Sequence, residues 1–191
     1  MNDPVFIEQL RQGNREAFKI LVESCGDRVF NTALGILQND DDARDISQEV
    51  FIGIFQSVGG FKGDSSLTTW IYRITVQKSL EHIRTRARKK RSGIILSLFG
   101  RENQITAPAT PFFHPGVLLE NKERAAILFE AISRLPESQR VAFTLHKVEI
   151  LSHAEIAEVM NSTLPAVESL IVRAKQKLRE SLSDYYEKNE K

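Results

Sequence analysis

The chain has 191 residues, 41% of them hydrophobic and 27% charged, with a formal net charge of +1. This is long enough for one medium domain or two small ones with a sizeable core. The near-neutral balance excludes a uniformly basic nucleic-acid coat, so any such role rests on local patches. A single cysteine, Cys25, excludes an intrachain disulfide and suits a reducing compartment. No apolar run approaches the ~20 residues of a membrane span, and Met1-Asn2-Asp3-Pro4 has none of the pattern of a secretory signal. A soluble intracellular protein is expected.

The patterning is helical nearly throughout. Asp3-Pro4 reads as an N-cap with proline in the first turn. Asn14 caps a second helix whose apolar stripe is Phe18, Leu21, Val22, Cys25, Val29, Ala33 and Ile36. Cys25 lies on that stripe, where a packed thiol is the ordinary state. A third helix, "NDDDARDISQEVFIGIFQSVGG", is capped at Asp40 or a neighbour and ends at Gly59-Gly60. Ala43, Ile46, Val50, Phe51, Ile54 and Val58 share one broad face. Asp42, Asp45, Glu49 and Gln56 share the opposite one, with Ile52 among them.

After the loop "FKGDSS", a fourth helix begins near Leu67, and its apolar residues change sides. Leu67, Trp70, Ile71 and Ile74 form one stripe; Val76, Leu80, Ile83 and Ala87 form another, nearly opposite. The spacing predicts a helix gripped on one side early and on the other later. Past Ile83 cations take over: Arg84, Arg86, Arg88, Lys89, Lys90 and Arg91. Such a run is ordinarily a solvated face, and phosphate contact is its functional alternative. Trp70 reads as core, Tyr72 as the better exposed aromatic, and Phe61 is open either way.

From Ser92 to about Val117 the periodicity fails, punctuated by glycine and proline. This reads as a linker between two helical domains, with apolar patches "GIILSLFG" and "PFFHP" that need a surface to lie against. The second domain starts near Leu118. Its helices turn Ala125, Leu128, Ile132 and Leu135 inward, then Val141, Leu145 and Val148. Ser152 with Glu155 makes a capping box for a short helix carrying Ile156, Ala157 and Met160. The last helix turns Leu164, Val167, Ile171, Ala174 and Leu178 inward. Short helix, tight turn and longer helix make a helix-turn-helix plan. Its outward line is Pro165, Glu168, Ser169, Val172 and Arg173, then Lys175, Lys177 and Arg179. The bland alternative is a helical hairpin with a solvated basic tail.

Enzymatic signals are poor. His146, Glu149 and His153 straddle a helix end, and no phosphate-binding, dinucleotide or nucleophile motif appears. No catalytic residue, metal or cofactor is expected.

The order of parts resembles the sigma factors of bacterial RNA polymerase, in their extracytoplasmic-function branch, over nearly the whole chain. "DDARDISQEVFIGIF" resembles the polymerase-docking helix, "FKGDSSLTTWIYRITVQKSLEHIR" the promoter −10 element and the segment Leu135–Glu180 the −35 element. The resemblance implies an all-α fold of two small domains: residues 1–91, a four-helix docking and −10 domain; residues 92–117, a linker threading toward the RNA exit path; and residues 118–185, a four-helix −35 domain. It implies that Asp42, Asp45, Gln48, Glu49 and Ile52 dock on the clamp helices of the largest polymerase subunit. For the −10 element and upstream duplex it implies Phe61, Lys62, Asp64, Ser65, Ser66, Tyr72, Arg73, Gln77, Arg84, Arg88 and Lys90, with the loop of residues 59–66 receiving a flipped base. For the −35 element it implies Ser152, Thr163, Pro165, Ala166, Glu168, Ser169, Val172, Arg173 and Lys175.

The partners so implied are core RNA polymerase, promoter DNA and a cognate anti-sigma factor, in the bacterial cytoplasm and without membrane insertion. Lys78 stands where relatives frequently have an apolar residue, and Glu168 where they are often basic. The alternative is a two-domain helix-turn-helix regulator acting without polymerase, which has no need of the acidic face on the third helix.

Overall fold

The structure, a computed structural model, describes residues 3–97 and 122–189, with side chains placed in 3–89 and 126–183. Among the described residues are eight α-helices, one 3-10 turn and no strand. They are α1 (Pro4–Arg11), α2 (Arg15–Leu37), α3 (Asp40–Ser57), the 3-10 turn Val58–Gly60, α4 (Leu67–Ser97), α5 (Lys122–Ser133), α6 (Glu137–Lys147), α7 (His153–Val159) and α8 (Leu164–Asn189).

Local chemistry sets the helix starts. The Asn14 side-chain oxygen accepts from the Glu16 and Ala17 N–H groups at 2.9 and 3.0 Å. Asn39, rather than Asp40, caps α3 by accepting from the Asp42 N–H at 2.9 Å. Three aspartates then occupy the first turn, at the positive end of the helix dipole. The Ser66 hydroxyl accepts from the Thr69 N–H at 3.0 Å and starts α4. At α7 the capping box is complete: Ser152 receives the Glu155 N–H, and the Glu155 carboxylate receives the Ser152 N–H at 2.8 Å. Ser152→Ala is expected to cost about 1 kcal/mol of stability, measured by chemical denaturation.

Helices α1 to α4 enclose one core. Leu21, Cys25 and Val29 of α2 meet Ile46, Val50 and Ile54 of α3 and Leu67 and Ile71 of α4. Leu21, Val29, Val50, Ile54 and Leu67 are fully buried, each worth about 1.5–3 kcal/mol of transfer free energy. A second core joins α6, α7 and α8 through Val141, Leu145, Ile156, Val167 and Ile171. It also takes in Ile36 of α2 and Tyr72 and Val76 of α4, with Leu80 and Ile83 packed against it. The two apolar stripes of α4 therefore serve different cores, the second through Val76, Leu80 and Ile83, while Ala87, expected on that stripe, is exposed beyond them. The two halves of the chain are packed against each other.

Five further expectations are corrected. Tyr72 is 2% exposed rather than available for stacking, because it faces the second core. Leu128 is 39% exposed. Helix α5 buries Ala131 and Ile132, and Leu135 just beyond its end, against α8 and packs Phe129 against the first core, which leaves Leu128 outside. Val148 is exposed because α6 has ended there and the chain turns through Ile150, held at φ 56°. Leu164 is exposed because it opens α8 ahead of the first turn that packs. Finally, α4 does not stop at Arg91 but continues to Ser97. One glycine, Gly93, costs a helix only about 1 kcal/mol, and the residues around it are adequate helix formers. The rest of the linker and the expected start near Leu118 lie outside the described residues.

Candidate functional site

The outward side of α3 carries Asp45, Gln48 and Glu49, all exposed, with Ile52 at 58% exposure. Phe55, which the acidic pattern of the sequence does not single out, continues this side at 52% exposure and rests edge-on against Phe18, ring centroids 5.1 Å apart. The i, i+3 spacing from Ile52 was the available signal. Asp42 differs from its neighbours. It is ion-paired with Arg86 and lies 3.3 Å from His82, both on α4, so its charge is spent holding α3 to α4. Lys78 reaches Glu49 at 3.5 Å. Its stem crosses Gly53, where an added Cβ would lie 3.2 Å from the Lys78 Cε. The cation at this position thus completes an α3–α4 charge seam that leaves Asp45 outside it.

The loop before α4 turns through Gly63, at φ 82°. Phe61 is 5% exposed, its ring tilted against Trp70 with centroids 5.1 Å apart, and its carbonyl accepts from Arg11. Lys62 and Asp64 are exposed; Ser65 and Ser66 are half-buried, with Ser66 engaged as the cap. On α4, Gln77 is exposed and donates to Glu81 at 2.9 Å, and Arg88 donates to the Thr85 hydroxyl at 3.2 Å. The Lys90 side chain lies outside the described residues.

Three of the residues expected at DNA on α4 meet the C-terminal half in the free chain. The Tyr72 hydroxyl donates to Glu149 at 2.7 Å. Arg73 donates through Nε and Nη2 to the Glu158 carbonyl at 3.0 and 2.9 Å, with the Glu158 carboxylate 3.7 Å away. Arg84 lies 3.5 Å from Glu137. Burial pushes the Glu149 carboxyl above its ordinary value, and Tyr72, Thr32 and Arg28 offset this only in part. Burial, with the bond to Glu149, also raises the Tyr72 phenol. Because the packed form holds the Glu149 proton more tightly than the exposed carboxyl does, this group's contribution is complete below the ordinary carboxylate range. It is lost as pH rises through the raised value. Glu149→Gln keeps an acceptor for Tyr72 and is expected to remove that dependence, read as thermal stability from about pH 4 to about pH 7.

The helix-turn-helix is α7 and α8. Ala157, Val167 and Ile171 lie in the same core at the angle between them. The outward line of α8 holds Pro165, Glu168, Val172 (62% exposed), Arg173 and Lys175 in the open, with Ala166 and Ser169 half-buried. The Thr163 carbonyl accepts the Val167 N–H at 3.1 Å, and Ser152 serves as the α7 cap. The Glu168 carboxylate lies 3.7 Å from His153, whose ring packs at 5.1 Å on His146. Burial lowers the His146 pKa, with Lys175 and His153 adding to the effect and the bond to the Leu151 carbonyl opposing it. Among the described residues, no group of three or more His, Cys, Asp or Glu side chains is placed to hold a metal ion, and no helix is long and apolar enough to cross a membrane.

Among the described residues the chain is all-helical, with an acidic, partly apolar helix face in one half and a helix-turn-helix in the other. Residues 21–89 match the family model for sigma-70 region 2, and residues 125–178 match that for sigma-70, region 4. The RNA polymerase sigma-H factor of Pseudomonas aeruginosa is 30% identical over 190 residues, covering 94% of this chain and 93% of that one. The ECF RNA polymerase sigma-E factor of Escherichia coli is 29% identical over 176 residues, covering 92% of each. Among solved structures, CnrH in complex with the cytosolic domain of CnrY matches with a TM-score of 0.68 at 22% identity, over 96% of this chain and 99% of that one. The sigma factor RpoE of Bartonella quintana, in complex with the anti-sigma factor NepR, matches with a TM-score of 0.66 at 19% identity, over 87% and 96%. The chain belongs to the extracytoplasmic-function branch of the sigma-70 family of RNA polymerase sigma factors. Its function is that of a sigma factor, which binds RNA polymerase and directs transcription initiation.

Proposed function

We propose that the outward side of α3, from Asp45 to Phe55, docks on the clamp helices of the largest subunit of core polymerase. The loop of residues 59–66 and the exposed cations of α4 then engage the −10 element and the duplex upstream of it, and the outward line of α8 reads the −35 element. The protein performs no catalysis of its own, acts in the bacterial cytoplasm, and is restrained by a cognate anti-sigma factor. The last point is supported by the solved relatives that are held in such complexes. The observation that carries the reading is the mixed surface of α3. Asp45, Gln48, Glu49, Ile52 and Phe55 remain exposed on a helix whose other side is fully packed, and a free-standing repressor has no use for them. Co-purification with core polymerase, followed by transcription from a promoter library, tests it. Selection of one −10 and −35 pair is expected, and failure to assemble with core overturns the reading.

Arg84, Arg88 and Lys90 supply phosphate contacts. Their replacement by alanine is expected to weaken open-complex formation alike on all promoters and to flatten the salt dependence by about one unit for each phosphate no longer neutralised. An effect confined to certain −10 sequences would show that these residues read bases instead.

A further inference from the structure

The loop of residues 59–66 is tied down near both ends. At its far end the Ser66 hydroxyl accepts from the Thr69 N–H and bonds the Thr69 hydroxyl at 2.8 Å, which fixes the start of α4. At its near end the Phe61 N–H donates to the Val58 carbonyl at 3.1 Å and closes the 3-10 turn. The Phe61 carbonyl, which leaves that turn, accepts from Nη2 of Arg11 on α1, 50 residues earlier in the chain. Between these ends Lys62 and Asp64 are exposed, and Gly63 sits at φ 82°.

Arg11 is well placed for this contact. It stands in the last turn of α1, where the helix dipole favours a cation. Glu8, one turn back, lies 3.5 Å from Nη1 and orients the guanidinium. Leu10, Phe6 and Ile7 pack in the same core as Val58, Phe61 and Trp70, which fixes α1 beside the loop. The acceptor is a backbone carbonyl. The bond therefore sets the peptide plane between Phe61 and Lys62, and with it the direction in which the loop leaves the core. Gly63 cannot set that direction, because a residue without a Cβ samples the widest range of backbone states. A Cβ built on Gly63 would meet nothing within 4 Å among the described residues, so packing does not take over the task.

We propose that Arg11 is a positioning residue for the −10 element, holding the Phe61 carbonyl so that the loop is preorganised to receive the flipped base. This rests on the reading of that loop as the base receiver. Arg11 acts through the loop backbone and touches no nucleotide. Order already present in the free chain is not lost again on binding. Removing Arg11 releases the backbone freedom of about one residue, which weakens capture of the base by about five- to thirtyfold.

The test uses holoenzyme assembled from the full chain and core polymerase. The probe is a fluorescent single-stranded copy of the −10 strand selected from the promoter library, with a set of copies that carry one abasic site at each position in turn. The position at which wild-type affinity falls is the received base. Arg11→Ala is expected to assemble with core normally and to bind the intact strand about five- to thirtyfold more weakly. It is expected to bind the strand abasic at that position as the wild type does. Arg11→Lys, which keeps a donor on a long stem, is expected to recover most of the loss. Hydrogen exchange in the free chain is expected to quicken at residues 61–64 in Arg11→Ala and not in α3. Equal weakening on intact and abasic strands overturns the proposal, because Arg11 would then serve the fold or a phosphate. Unchanged binding to both overturns it as well. So does a loss of helicity or of assembly in Arg11→Ala, since the bond would then hold the domain rather than the loop. If no abasic position matters to the wild-type holoenzyme, the loop receives no base, and the −10 reading itself falls together with the proposal built on it.

Discussion

Replacing Asp45 and Glu49 together with lysine is expected to abolish assembly with core RNA polymerase while leaving helicity unchanged. Both side chains are exposed on the outward side of α3, so reversing them removes nothing from the core. Glu49 loses its partner Lys78, but an exposed pair of this kind is worth about 0–1 kcal/mol. At an interface the balance is different. A charge that is desolvated against its partner costs about 2–5 kcal/mol when the pair is broken, roughly 30-fold or more in affinity for each residue. Ile52 and Phe55 beside the acids supply the apolar part of the surface and would keep the reversed charges away from water. Pull-down with core polymerase and a circular dichroism spectrum together measure the two halves of the expectation. Normal affinity in a folded double variant would show that α3 docks elsewhere or not at all.

Glu168→Gln is expected to relax base choice at one position of the −35 element, at a cost of about 1–3 kcal/mol at that base pair. A carboxylate on the DNA-facing line of a reading helix repels phosphate. It repays this where it accepts from the N4 amino group of cytosine in the major groove. In the free chain its carboxylate lies 3.7 Å from the His153 ring, the two side chains 53% and 37% exposed. So exposed a contact is weak and can give way to a base edge. Arg173 and Lys175 lie in the open beside it, and on this reading they would anchor the backbone. Binding to a randomised −35 library reads the outcome. Uniformly tighter binding with unchanged preference would show that Glu168 acts only as a repulsive charge.

Most of the secondary structure was legible because its signals are local. Asn14, Ser152 and Glu155 sit at their caps, and the stripe of α2 is buried through Leu21, Cys25, Val29 and Ala33 as a period of 3.6 requires. Periodicity failed where a stripe ended. Leu164 and Val148 fit their spacing, yet each stands at a helix terminus and remains about half exposed, at 45% and 47%. The end of α4 falls later than the pattern suggested, at Ser97, for the opposite reason: a single glycine is weak punctuation in a helix already propagating.

The sequence by itself determined the all-helical class, the helix-turn-helix, the acidic side of α3 and the change of sides along α4, since each depends on residues within a few turns of one another. It showed that α4 must be gripped twice but could not name what grips it the second time. That the second stripe meets α6 and α7, that Tyr72 is hidden under Glu149, and that Gly35 is where α2 receives Thr144 were decided only by the tertiary structure. These partners are 77 and 109 residues apart in the chain. A hydroxyl, a carboxylate or a missing side chain carries no mark of a distant neighbour. What buries them is the approach of two surfaces, each of which is patterned correctly by itself.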